Sequence, residues 1–173
     1  MFGKKRRSAL DDIQKNAAGE YIYTGAFYQY ATPELPRKTA LIRLWLMGGL
    51  SAGAALMAGV LPAPGAMDAF YVVIPYVLGV IAEVSVLWAL GRLSLGGDPV
   101  RAYVWETAVT HLPRRALLAA VLLGLAALGE CLFLLLHRDS GPMAAAFLGL
   151  LLASGALLLG CRRLLGKLHW ERL

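Results

Sequence analysis

The sequence predicts an all-α integral membrane protein, a bundle of four transmembrane helices made of two antiparallel helical hairpins. Three observations predict it. Four long apolar runs cover about residues 39–61, 69–93, 116–137 and 144–161, each close to the ~20 residues that cross a ~30 Å hydrocarbon layer as helix. Of the 17 Lys and Arg residues, 16 fall on one side of these runs and only Arg138 falls on the other. The positive-inside rule then makes both termini cytoplasmic. The links on the other side are tight turns, Pro62-Ala63-Pro64-Gly65 and Arg138-Asp139-Ser140-Gly141-Pro142, and turns that short force neighbouring helices antiparallel.

Composition points the same way. With 58% hydrophobic residues and a mean hydropathy of +0.61, the chain has too little polar surface for a soluble domain of its length. The net charge of +6 follows from the one-sided basic residues. No basic helix or aromatic RNA motif accompanies it, so no nucleic-acid partner is expected. The first apolar run starts near residue 39, too late for a cleavable signal, so it is expected to remain a membrane helix. Usage rich in Ala, Leu, Gly and Arg suggests a GC-rich bacterial genome, and so a bacterial inner (plasma) membrane.

Residues 1–38 form a basic and aromatic cytoplasmic segment, and 39–173 form the membrane domain. Ser8 to Ala18 reads as a short helix, opened by Ser8 with Asp11 three residues on and stopped by Gly19. Glu20 to Tyr30 reads as a β-hairpin, two β-prone tetrads around Thr24-Gly25-Ala26. Its aromatics Tyr21, Tyr23, Phe27, Tyr28 and Tyr30 suit either an interfacial belt or a surface that docks another protein. Between runs 2 and 3, Gly96-Gly97 breaks the chain and Asp98-Pro99 fits the start of a helix. The spacing of Val100, Tyr103, Val104, Ala108 and Leu112 predicts an amphipathic interfacial helix over 99–112. Leu35-Pro36-Arg37-Lys38 before run 1 is echoed by Leu112-Pro113-Arg114-Arg115 before run 3. The echo suggests a parallel repeat, with chance as its rival, because the match is four residues long.

Chemistry is scarce. No catalytic, metal or nucleotide motif is present, the three His lie on different segments, and neither an enzyme activity nor a cofactor is expected. The singular residues are Glu83 in run 2 and Glu130 in run 3. A charge at mid-bilayer costs on the order of 3 kcal/mol, so each is expected to face protein or water. Counted from the inner ends of their runs, the two lie at similar depth and are expected to share a polar pocket if the runs touch. Tyr76, seven residues before Glu83, is placed to hydrogen-bond it, and Pro75 and Gly79 are placed to bend run 2. Gly49 and Gly53 form a GxxxG, a close-packing seam for a neighbour within the chain or in a second copy.

Two functional readings follow. One is a non-catalytic accessory or scaffold subunit, which lies in the bilayer and pairs with another membrane protein or with itself as a homo-oligomer. The other is a small proton- or cation-coupled transporter that uses Glu83 and Glu130, with Tyr76 beside them.

Overall fold

The computed structural model describes residues 13–15, 21–137 and 141–173. The chain is mostly helical. Its helices are α1 (Arg37–Val60), α2 (Pro64–Asp68), α3 (Phe70–Leu95), α4 (Ala102–Val104), α5 (Leu112–Leu136) and α6 (Pro142–Leu165). A π-helical stretch, Trp105–Thr110, joins α4 to α5. Four segments are long and apolar enough to cross a membrane: α1, α3, Ala102–Leu136 and α6. Large apolar side chains cover their outer surface, among them Leu50, Ile81, Trp88, Leu128 and Leu152, all at least half exposed. In water that surface would drive aggregation, so its solvent is lipid.

The long helices pack in a ring: α1 beside α3, α3 beside α5, α5 beside α6, and α6 back on α1. Hydropathy alone does not mark their inner faces, because each helix is apolar all round. Small and polar residues at three- and four-residue spacing do. On α1 the buried positions are Ala40, Leu44, Gly48, Ser51, Ala55 and Ala58. On α6 they include Ala144, Phe147, Leu151, Ser154, Leu158 and Cys161. The backbones of α3 and α5 come close at two glycines. A Cβ on Gly79 would lie 2.7 Å from Leu123 Cδ2. Pro75 has no N–H for the carbonyl four residues back, that of Tyr71, and Gly129 packs there so tightly that a Cβ would sit 3.0 Å from this oxygen.

At one end of the bundle the chain is not helical, which corrects the all-α expectation. Strands β1 (Ile13–Lys15) and β2 (Tyr21–Tyr23) pair antiparallel. Ile13–Lys15 is therefore strand where a helix over 8–18 was expected; the other residues of that expected helix lie outside the described residues. Strand β3 (Phe27–Tyr30) does not fold back on β2 as a hairpin. It is the centre of a three-stranded sheet, antiparallel to β4 (Val100–Arg101) on one side and β5 (Trp170–Arg172) on the other. The physical reason is pairing: two partners satisfy both edges of β3, where a hairpin would satisfy one. Aromatic contacts reinforce this, since Tyr28 stacks on Trp105 at 4.1 Å and Tyr30 meets Trp170 edge-on at 5.4 Å.

The interfacial helix expected over 99–112 also takes another form. Val100–Arg101 is strand, and the helical chain from Ala102 runs through the π-helical stretch towards α5. Pro113 sits in the first turn of α5, where its missing N–H costs nothing, so it opens the spanning helix and does not divide an interfacial one from it. The expected turn at 62–65 likewise includes the start of α2. Arg37, at the start of α1, ties this end to α3: its Nη2 donates to the carbonyls of Gly96 at 2.6 Å and Leu93 at 3.4 Å. A guanidinium there satisfies carbonyls left open where a helix ends.

Candidate functional site: two buried carboxyls

Glu83 lies on the inner face of α3, near the middle of the helix, and is 3% exposed. Two serines from other helices meet it. Ser51 of α1 donates its hydroxyl to Glu83 Oε1, and Ser154 Oγ of α6 donates to the same oxygen at 3.0 Å. The two hydroxyl oxygens are 2.8 Å apart, and Ser51 Oγ lies 3.1 Å from the Ser154 carbonyl. Both serines are completely buried. One carboxyl oxygen thus joins three helices, while Glu83 Oε2 has no hydrogen-bond partner. Inside a bilayer a polar group has no water to turn to, so such a cluster holds its helices in one register.

Glu130 sits near the far end of α5 and is 0% exposed. Neither of its carboxyl oxygens has a hydrogen-bond partner. Its neighbour is the backbone of α2. A Cβ on Gly65 would fall on the Glu130 carboxyl, 2.8 Å from Cδ. Among the described residues no Lys, Arg or His forms an ion pair with Glu83 or Glu130.

The two carboxyls do not share a pocket. Gly79 is level with Leu123, and Tyr71 is level with Gly129, so Glu130 stands opposite the first turn of α3. That is twelve residues of helix from Glu83, about 18 Å at 1.5 Å per residue. The expectation failed because the inner ends of the runs are not level. Leu112, the first residue of α5, packs in one cluster with Val86, Ala89 and Leu90, well inside the end of α3. Depths counted from the two ends therefore start from different planes.

Tyr76 serves α1, not Glu83. Its hydroxyl donates to the Ala55 carbonyl at 2.8 Å, and its ring meets Phe147 edge-on. Gly59 makes room for it, since a Cβ there would meet the Tyr76 ring at 3.3 Å. Gly49 and Gly53 lie off the inner seam of α1, and a Cβ on either would meet nothing within 4 Å. Gly48 is the glycine in the seam, 3.1 Å from Leu90 when given a Cβ. Of the aromatic segment, Tyr21 and Tyr23 lie in β2, Tyr28 and Tyr30 are engaged by Trp105 and Trp170, and Phe27 lines a cleft with Pro99 and Tyr103.

Sequence reasoning did not single out Ser51 and Ser154. The signal was there: each is the one hydroxyl deep in its apolar run, and an isolated polar group in a membrane helix needs a partner. Arg115 was also passed over. Named only as part of the basic pair before run 3, it donates to the Ser85 carbonyl at 3.3 Å, ten residues inside α3. No metal-binding group of three or more His, Cys, Asp or Glu occurs among the described residues. No family model matches the chain, no curated protein matches it, and no solved structure matches its fold.

Proposed function

We propose that this chain is a non-catalytic accessory or scaffold subunit of a larger complex in a bacterial inner membrane, with both termini cytoplasmic. The observation that carries the reading is the Ser51–Glu83–Ser154 cluster. The central carboxyl is held by hydroxyls of two other helices and is spent on holding the bundle together. A relay would need the second carboxyl nearby, and about 18 Å of helix separates them. The sheet adds support. It gathers the N-terminal segment, the 100–101 link and the C-terminal strand at one end, and the basic residues flank these same segments, which favours a cytoplasmic platform for a partner. The α1–α3 contacts, Gly48 with Leu90, Ser51 with Glu83 and Ala55 with Tyr76, support antiparallel hairpins.

One observation favours the second reading, a small proton- or cation-coupled transporter: Glu130 is buried with both oxygens unpartnered. The test is purification from native membrane in mild detergent with mass spectrometry of what accompanies the chain. A stoichiometric second protein that remains with E83Q and E130Q supports the subunit. A homo-oligomer whose pH-dependent ion flux is lost in those variants would overturn it.

A further inference from the structure

Glu130 is a polar group that the bundle does not use. It is fully buried, both oxygens lack partners, and the backbone of α2 lies directly on the carboxyl with no room for a methyl group on Gly65. The other polar residues that are fully or almost fully buried among the described residues, Ser51, Glu83 and Ser154, each make a hydrogen bond. Glu83 Oε2, Arg37 Nε and the indole nitrogens of Trp105 and Trp170 also lack partners, but among the described residues Glu130 is the one buried carboxyl with neither oxygen engaged. A metal ion would need several oxygen donors, and none is directed at Glu130. A neutral carboxyl tolerates such a place far better than a carboxylate, which demands water or a counter-charge.

What could shed or supply that charge is limited. On α2 the titratable residue is Asp68, which is exposed. On α3 the titratable residues nearest this end are Tyr71, at the surface, and Tyr76, whose hydroxyl is held by Ala55; Glu83 and Arg92 lie farther along the helix. On α5 Cys131 is exposed, while Arg114 and Arg115 lie at the opposite end; His137, just after α5, is exposed with its ring stacked on Phe133. The half of α6 nearest this end carries no titratable side chain, and Arg138 and Asp139 lie outside the described residues. What covers Glu130 is α2, five residues long, with extended backbone on either side at Ala63 and Ala69.

We propose that Glu130 is a proton-binding site closed by α2, and that loss of its proton lifts α2 from the end of the bundle opposite the sheet. The ligand is a proton, and the site works without a partner, so it stands apart from the subunit reading. Ala63, at the start of α2, is 0% exposed, whereas Met67 on the same helix is 72% exposed. They report the closed lid and its outer surface.

The experiment uses the full chain in lipid nanodiscs. A63C and M67C are each treated with a water-soluble maleimide across a pH series, and labelling is located by mass spectrometry. At position 63 labelling is expected to rise several-fold more with pH than at position 67, after allowance for thiol ionisation. E130Q, which keeps the shape and cannot ionise, is expected to abolish that excess. A63C labelling that follows M67C at every pH, or an excess that survives in E130Q, would overturn the proposal. A hydrophobic carbodiimide gives a second readout on the natural sequence, since it adds to protonated carboxyls. It should modify Glu130 at low pH and lose it as pH rises, and modification that does not change with pH would also overturn the proposal.

Discussion

Glu83 and Glu130 are the same side chain on neighbouring helices, both buried, with different surroundings. Glu83 sits mid-helix where α1, α3 and α6 meet, and hydroxyls from two of them converge on one oxygen. Glu130 sits at the end of α5 beneath a five-residue helix that offers it only a glycine backbone. The first carboxyl is hydrogen-bonded to two other helices. The second is a polar group stored behind a thin cover. A membrane carboxyl is therefore not functional or structural by type. The number of partners aimed at it and the thickness of what covers it decide.

The comparison breaks first where both sites share support, the close contact of α3 with α5. Gly79→Val should cost about 1–3 kcal/mol, because its Cβ has no space beside Leu123. Thermal unfolding in detergent checks this, and Gly49→Val is the control that should change stability little. At Glu83 itself, Ser51→Ala and Ser154→Ala should each cost about 1 kcal/mol. The double variant should cost less than their sum, because the two hydroxyls share one acceptor and touch each other. At Glu130, Gly65→Ala should cost roughly 1 kcal/mol in the natural sequence and almost nothing beside Glu130→Ala, because the carboxyl is what the new methyl meets. Farthest from both sites, Tyr28→Ala should lose about 0.5–1 kcal/mol of ring stacking on Trp105. That loss should add independently to any change at Glu83.

The four spans were legible because length and apolarity set them, and because the basic residues mark one side. Ring order and inner faces were not, since a helix apolar all round carries no amphipathic signal. Ser51, Ser154 and Gly48 mark the seam, but only tertiary packing tells Gly48 from Gly49. The sheet was half legible. The β-prone tetrad at 27–30 is strand, yet its partners lie far along the chain, at 100–101 and 170–172. Sequence patterns favour local hairpins and say nothing about such distant pairing. Both carboxyls were legible as singular residues. Their separation was not, because it depends on how far α5 starts inside the end of α3.

The most direct test sets Glu83→Leu beside Glu130→Leu and measures the unfolding of both in the same bilayer-like detergent. Glu83→Leu should destabilise by about 1–3 kcal/mol, since two buried serine hydroxyls lose their shared acceptor. Glu130→Leu should be neutral or stabilising, since it removes a buried polar group with no hydrogen bond to lose. Equal losses in the two variants, or a larger loss in Glu130→Leu, would contradict the account.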